Sequence, residues 1–202
     1  MENVIHPKVL YYEQIQRVAD RFLDEHCPSL GLPIPIEDIV ELKLGIKLST
    51  QINLREEIGA DGFLNSNNEI IIDDFVFNNY EERARFTIAH ELGHKYLHNP
   101  IYEPHKIITK EDYLKFQNSR SEEDQKWLEI QAHAFAGNLL VPTKKLKEEL
   151  AKIMHKNSEK ADLSLPYLIE LPLRFKVSSY VILRRLEKEK LISEDDFLSR
   201  RK

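Results

Sequence analysis

Residues 85–98 read Arg-Phe-Thr-Ile-Ala-His-Glu-Leu-Gly-His-Lys-Tyr-Leu-His. His90 and His94 are four residues apart, so on a helix their imidazoles lie one turn apart on the same face and can bind one divalent metal ion. Glu91 lies at the edge of that face, where its carboxylate reaches a water molecule rather than the metal. Two histidines and a carboxylate base on one helical turn are typical of a metallopeptidase.

The residues around this pentapeptide favour a metal site over a solvated helix that carries histidines by chance. Phe86, Ala89, Gly93 and Leu97 form an apolar stripe, which predicts an amphipathic helix with one buried side. Glycine in the middle of a helix costs up to about 1 kcal/mol relative to alanine. Gly93 therefore predicts that another part of the backbone approaches this helix closely.

A third ligand is required, because catalytic zinc sites use three protein ligands and keep one position for water. The best candidate is Glu129, in a second apolar helical stretch at residues 127–142, Trp-Leu-Glu-Ile-Gln-Ala-His-Ala-Phe-Ala-Gly-Asn-Leu-Leu-Val-Pro. The small residues Ala132 and Ala136 predict tight packing of this helix against the first. From the residues alone, Glu129 is equally well explained as a ligand or as a surface carboxylate.

Taken together, the two stretches resemble the ImmA/IrrE metallo-endopeptidases, compact zincin-like proteases of bacteria, phages and mobile elements. The resemblance extends upstream through Gly62-Phe63 and Leu32-Pro33, and weakly into the C-terminal helices. It implies that Glu129 is the third metal ligand, beside His90 and His94. The ligand set predicts one Zn²⁺ per chain, with Mn²⁺ as the second candidate.

His133 departs from the family pattern, which usually has Asn or Asp one turn after the ligand glutamate. Its imidazole either hydrogen-bonds a metal ligand or competes with Glu129 for the metal. Groups behind the ligands tune metal affinity, so His133 bears on the affinity and choice of the metal.

The resemblance also implies a substrate, a helix-turn-helix transcriptional repressor that one cut inactivates. Such a cut would derepress a mobile-element, phage, toxin–antitoxin or stress-response gene set. Two alternatives stay open. One is a non-catalytic regulator that binds the repressor, and the other is a DNA-binding protein whose metal is structural, with His133 as a fourth ligand.

Composition sets wider limits on these alternatives. The chain has 202 residues, a net charge of −5 and a single cysteine, Cys27, which excludes an intramolecular disulfide and a thiolate-rich zinc site. A negative net charge does not favour binding of nucleic acid by the protein as a whole. Residues 1–10 lack the pattern of a secretory signal, and no apolar stretch is long enough to span a membrane, so a cytoplasmic protein is expected.

The remaining patterns predict an α+β, zincin-like fold in which a small antiparallel sheet packs on the helix that carries the histidines. Residues 46–52 predict one strand, and residues 60–64 and 69–73 predict a hairpin. Gly62 and Phe63 lie either at a sheet edge that binds substrate or in a plain core hairpin. Residues 100–123 are polar and weakly periodic, which predicts a loop.

Residues 1–160 are expected to form the peptidase core and residues 161–202 a C-terminal helical segment packed on it. In this segment Phe175-Lys176-Val177-Ser178 and the amphipathic stretch that follows resemble part of a helix-turn-helix. Nine Lys/Arg face five Asp/Glu over residues 171–202, a modest excess that favours packing or partner docking over DNA binding.

Other side chains near the first motif have open or minor roles. Tyr80, Tyr102 and Tyr113 are candidates for the group that stabilises the oxyanion, and the sequence does not choose among them. His98 follows His94 by one further turn, and three consecutive turns of a straight helix cannot converge on one ion. His98 is expected instead near the end of the helix, where it meets free carbonyls.

Overall fold

The computed structural model describes residues 6–156 and 164–192. Ten α-helices, one π-helical turn and three strands lie in this part of the chain, and the fold class is α+β, as predicted. Their bounds are α1 Tyr12–His26, α2 Ile36–Asp38 with the π-helical turn Ile39–Lys43, β1 Lys47–Gln51, α3 Leu54–Ile58, β2 Gly62–Asn65, β3 Glu69–Asp73, α4 Asp74–Asn79, α5 Glu81–Tyr102, α6 Lys110–Asn118, α7 Glu122–Leu140, α8 Thr143–Lys156, α9 Ser164–Phe175 and α10 Ser179–Lys188.

The sheet has the strand order β1-β3-β2 and is mixed rather than antiparallel. The predicted hairpin is present, with β2 antiparallel to β3. β1, however, pairs with β3 in parallel, which corrects the prediction of an all-antiparallel sheet. β3 is the most apolar strand, and Ile70 and Ile72 have no exposed surface. The central position lets both edges of this strand pair with a neighbouring strand, whereas an edge position would leave one row of its peptide groups unpaired.

The main hydrophobic core lies between the sheet and the long helices α1, α5 and α7. Phe22 of α1, Ile88 of α5 and Phe135 of α7 are buried there with Ile72 of the sheet. α5 packs most extensively against α7, which in turn packs against α1. The two helices that carry the motifs are therefore neighbours at the centre of the protein.

The segment at residues 100–123 is largely helical, so the prediction of a loop is wrong. α5 continues through Pro100 to Tyr102, and α6 is capped at its start by Thr109, whose side chain accepts a hydrogen bond from the Asp112 amide. Apolar side chains of this segment fill a second, smaller core with residues from β2, α3 and α7: Leu54, Phe63, Ile101, Ile107, Tyr113, Phe116 and Leu128. Burial of these scattered residues stabilises helices that have too little periodicity to be predicted.

The C-terminal helices α9 and α10 share the main core. They are joined by a short turn in which Lys176 has a φ of 50° and Ser178 accepts a hydrogen bond from the Val181 amide at 3.4 Å. Phe175, Val177 and Ile182 are buried with the side chains of α1 and α7. The predicted division at residue 160 falls within residues 157–163, which lie outside the described residues.

Candidate metal centre and active site

α5 and α7 approach each other closely because both carry small residues where they cross. A Cβ atom on Gly93 would lie 2.9 Å from Cα and 3.0 Å from the carbonyl oxygen of Ala132. Contacts of this length are not tolerated, so only glycine fits at position 93. The close backbone approach that Gly93 predicts is therefore made by α7, the helix that carries Glu129.

Gly93→Ala is expected to lower the free energy of unfolding by about 1–2 kcal/mol. Overpacking costs about 1–3 kcal/mol, and the upper part of that range, about 2–3 kcal/mol, is expected here because the Cβ would meet backbone atoms of Ala132 that cannot move aside. The gain of alanine in helix propensity offsets roughly 1 kcal/mol of this cost. Urea denaturation measures the change. Gly31→Ala is the matched control, since a Cβ atom at that position would have no neighbour within 4 Å and a change of under about 0.5 kcal/mol is expected. A Gly93→Ala protein as stable as the wild type would contradict the tight contact.

Three candidate ligand groups converge between the two helices. His90 Nε2 and His94 Nε2 are 3.0 Å apart. The Glu129 carboxylate lies 3.2 Å from His90 Nε2 and 3.3 Å from His94 Nε2, with one oxygen towards each ring. A tetrahedral zinc ion with bonds of about 2.0–2.1 Å spaces its ligand atoms about 3.3 Å apart. The residues present therefore fit a divalent metal.

The charge of Glu129 depends on its burial and on the two histidines that face it. Burial raises the pKa of the Glu129 carboxyl, but hydrogen bonds and charges of His90 and His94 outweigh that effect and leave the pKa well below its ordinary value. Glu129 is therefore a carboxylate at neutral pH. An anionic oxygen facing two imidazole nitrogens is suited to binding a cation.

Glu91 lies beside the triangle and is anchored to the sheet. Its side chain is buried, and its Oε2 accepts a hydrogen bond from the Leu64 amide of β2 at 3.0 Å. Burial raises the pKa of Glu91 to about 7, against the opposing effects of the His90 charge and the Leu64 hydrogen bond. A carboxyl group with a pKa near neutrality is suited to accept and return a proton.

In the metal-free protein, the Glu91→Gln variant is expected to be more stable than the wild type, and this difference is expected to grow as the pH rises. Because the pKa of folded Glu91, about 7, is above its ordinary value of 4.5, the stability contributed by its bound proton is present below 4.5 and lost as the pH rises through about 7. The advantage of the glutamine variant should grow by about 2–3 kcal/mol between about pH 5 and pH 8. Urea denaturation at both pH values measures it, and a constant difference would contradict the raised pKa.

The edge of β2 faces this site. Within residues 6–156 and 164–192, β2 pairs only with β3. Alternation along the strand turns the peptide groups of Gly62 and Leu64 away from β3, to the side where the Leu64 amide meets Glu91. Gly62 packs against α5, since a Cβ there would lie 2.9 Å from Thr87 Cγ2. The Phe63 side chain is fully buried and stacks on Tyr113 at 5.1 Å, so this ring belongs to the smaller core.

His133 lies on the exposed side of the triangle. Its Nδ1 is 2.8 Å from the backbone carbonyl of Glu129, one turn earlier in α7, and its ring contacts the His90 ring at 4.5 Å. One ligand atom each of His90, Glu129 and His133 lie within 4.8 Å of one another. His133 thus makes its hydrogen bond to a main-chain carbonyl, and its imidazole is within reach of the metal position.

The three candidate tyrosines have different surroundings. The Tyr102 hydroxyl lies 3.2 Å from His94 Nδ1, the nitrogen on the far side of the ring from the triangle. The buried Tyr113 hydroxyl accepts a hydrogen bond from the Gln117 amide. Tyr80 is half exposed and lines a groove that opens at the site. Of the three, Tyr102 alone contacts a candidate ligand in the described part of the chain.

His98 is not at a helix end, and that prediction is wrong. α5 runs four residues further, because Ile101 and Tyr102 pack into the smaller core. His98 is buried beside His94, and burial lowers the pKa of its imidazole to about 3. Its other partner is Gln131 of α7, a residue that the sequence does not single out. The available signal is that Gln131 is a polar residue within the apolar stripe of α7.

A groove of about 1200 Å³ opens beside the triangle. Glu129 and His133 lie at its wall, whose accessible surface is mainly apolar. The lining from α5, α7 and α10 includes Phe86, Ile130, Ala134, Tyr180 and Val181, as well as charged residues of the same helices such as Glu82, Lys126 and Arg184. A groove of this size and character is suited to a peptide segment rather than to a small polar molecule.

A comparison with known protein families gives a match over more than half of the chain. The model of the Peptidase_M78 family, described as the IrrE N-terminal-like domain, matches residues 57–187. The match includes all three residues of the triangle and Glu91. No curated protein matches the chain. Within residues 6–156 and 164–192, none of the helices has the length and apolar character needed to cross a bilayer.

Family membership supports a metallopeptidase-type function and implies a metal and a protein substrate. It also confirms the resemblance of the two helical motifs to the ImmA/IrrE proteins. Because the family model covers more than half of the chain, the protein belongs to the Peptidase_M78 family of IrrE N-terminal-like domains.

Proposed function

We propose that the protein is a zinc metallo-endopeptidase in which His90, His94 and Glu129 hold one Zn²⁺ per chain and Glu91 is the general base. The observation that carries the proposal is the triangle of ligand groups with sides of 3.0, 3.2 and 3.3 Å. Two imidazoles and one carboxylate form the ligand set of catalytic zinc sites, which leave a position for water. Mn²⁺ is the second candidate metal, because affinity alone does not determine occupancy in a cell.

The chain's own residues account for proton transfer and orientation. When bound, the metal polarises a substrate carbonyl and activates water at neutral pH. Glu91 takes the proton of the attacking water and delivers it to the leaving amine. The hydrogen bond from the Leu64 amide to Oε2 restricts rotation of the Glu91 carboxylate.

The substrate peptide is proposed to bind in extended form along the free edge of β2. As in other cases where a strand is added to a sheet, the Gly62 peptide group and the Leu64 carbonyl would pair with it, while the Leu64 amide remains bonded to Glu91. Side chains of the substrate would enter the groove beside Glu129, whose walls are mainly apolar. In this proposal Gly62 contributes through its backbone, and Phe63 has a structural role.

We propose further that the substrate is a helix-turn-helix transcriptional repressor. The support is the resemblance to the ImmA/IrrE proteins together with the protein substrate that family membership implies. Cleavage would derepress a mobile-element, phage, toxin–antitoxin or stress-response gene set. A repressor substrate also implies that the protein acts in the cytoplasm.

The test is cleavage of the repressor encoded beside this gene, with products measured by intact mass. Zinc-loaded protein is expected to make a single cut, and a chelator is expected to abolish it until zinc is restored. An intact repressor that nevertheless forms a complex with the protein would favour the non-catalytic regulator.

A structural metal site is the second candidate, and the position of His133 is the observation that favours it. If His133 became a fourth ligand, the coordination shell would be closed and no position would remain for water. His133→Ala would then weaken zinc binding, whereas the catalytic proposal expects cleavage activity to persist. DNA binding by the C-terminal helices has less support, because Arg185 of α10 is buried and donates to the Val141 carbonyl and Thr143.

A further inference from the structure

A chain of buried hydrogen bonds leads from His94 into the interior of the protein. His94 Nδ1 lies 3.2 Å from His98 Nδ1. His98 Nε2 lies 3.2 Å from Gln131 Oε1, and Gln131 Nε2 donates to the Lys8 carbonyl at 3.0 Å. His94, His98 and Gln131 are 3%, 2% and 1% exposed, so water does not substitute for these contacts.

The Lys8 carbonyl at the end of this series of hydrogen bonds determines which atom donates and which accepts at each step. A backbone carbonyl only accepts hydrogen bonds, so the Lys8 carbonyl requires the NH₂ group of Gln131 to face it. The Gln131 oxygen then faces His98, and because that oxygen only accepts, His98 Nε2 must carry a hydrogen.

The same reasoning extends to His94. Burial disfavours a charged imidazole, and within the described residues no carboxylate is in hydrogen-bond contact with His98. A neutral His98 with its hydrogen on Nε2 has a lone pair on Nδ1. His94 Nδ1 must therefore carry the hydrogen between the two rings, which leaves the lone pair of His94 on Nε2, the atom that faces His90 and Glu129.

Tyr102 cannot set this arrangement. Its hydroxyl also lies 3.2 Å from His94 Nδ1, but a hydroxyl can donate or accept and is compatible with either tautomer. The amide of Gln131 has no such freedom while Lys8 binds its nitrogen.

We propose that Gln131, acting through His98, is a positioning residue that holds His94 in the tautomer whose Nε2 binds the metal. The proposal rests on the proposed zinc site and adds two residues to it that do not touch the metal. Mutation of a residue that hydrogen-bonds a ligand histidine typically weakens metal binding roughly 10–100-fold.

The alternative is that Gln131 merely ties residues 6–11 to α7. Two substitutions separate these roles. Gln131→Met has a similar shape and removes both hydrogen bonds. His6→Ala removes the contact of His6 Nδ1 with Asp124 Oδ2 at 2.9 Å, which also ties this segment to α7, and leaves Gln131 and His98 in place.

Zinc affinity, measured by competition with a chromophoric chelator, is the first readout. Gln131→Met is expected to bind zinc roughly 10–100-fold more weakly than the wild type, whereas His6→Ala is expected to bind zinc as tightly as the wild type. Gln125→Met is the matched control on the same helix, because the Gln125 amide donates to backbone carbonyls and should leave zinc affinity unchanged. Equal losses in Gln131→Met and His6→Ala, or no loss in Gln131→Met, would overturn the proposal.

The ring-nitrogen NMR signals of His98 provide a second readout that needs no variant. The zinc-loaded wild type is expected to show one neutral His98 tautomer with its hydrogen on Nε2, and a hydrogen on Nδ1 instead would overturn the proposal even if a variant failed to fold. A wild type that binds no zinc would contradict the proposed function itself. The His98 tautomer in the metal-free protein would then still decide the part played by Gln131.

Discussion

Glu91→Gln protein is expected to retain one zinc ion per chain and to cleave its substrate roughly 10²–10⁴-fold more slowly than the wild type. The glutamine oxygen can still accept the hydrogen bond that the Leu64 amide donates at 3.0 Å, so the side chain should keep its place. An amide cannot take a proton from water at neutral pH. The change therefore removes the base while leaving the ligand triangle intact.

The measurement combines elemental analysis for zinc with single-turnover cleavage followed by intact mass. Glu103→Gln is a suitable control, because Glu103 is an exposed glutamate at the end of the same helix and should leave turnover unchanged. Wild-type rates in a fully loaded Glu91→Gln sample would overturn the assignment of Glu91 as the base. Loss of zinc from that sample would instead indicate that Glu91 supports the metal.

The second large effect is expected for Glu129→Ala, which should weaken zinc binding by roughly a hundredfold or more. Zinc sites with four protein ligands contribute about 10–16 kcal/mol, or roughly 3 kcal/mol per ligand, and about 1.4 kcal/mol corresponds to a tenfold change in Kd. Glu129 also supplies the negative charge that faces both imidazoles, and its carboxyl pKa lies well below the ordinary value. Its removal leaves two neutral nitrogens to hold a dication.

Chelator competition measures this loss, with Glu123→Ala as the control in the exposed first turn of α7. Full zinc occupancy in Glu129→Ala would show that another residue completes the site. His133 is then the replacement to test, because its ligand atom lies within 4.8 Å of those of His90 and Glu129. Loss of zinc only in the double variant Glu129→Ala/His133→Ala would establish that the two share the role.

Several features were accessible from local pattern alone. The apolar stripe around His90 and His94 predicts α5, and residues 60–64 and 69–73 predict the β2–β3 hairpin, both of which are present. Gly93 predicts a close approach by another backbone, and Ala132 makes that contact. Each of these inferences depends on geometry within one turn or one hairpin, where the spacing of residues determines which side chains share a face.

Other features depend on contacts between distant segments and were predicted wrongly or not at all. The parallel pairing of β1 with β3 depends on which strand takes the centre of the sheet. The helices of residues 100–123 are stabilised by burial of Tyr113 and Phe116 against Phe63 rather than by their own periodicity. His98 is a buried partner of Gln131, which no property of α5 alone could indicate.

The sequence by itself determined that two histidines and a glutamate share one helical turn, because 3.6 residues per turn place positions four apart on one face whatever the rest of the chain does. The sequence also identified Glu129 as a candidate metal ligand, although a role as a surface carboxylate explained this residue equally well. Only the tertiary structure decided the remainder: the convergence of Glu129 on His90 and His94, the hydrogen bond from Leu64 to Glu91, and the link from His94 to Gln131. These contacts join residues 27 to 39 positions apart, and their distances depend on how α5, α7 and the sheet pack, which local spacing cannot specify.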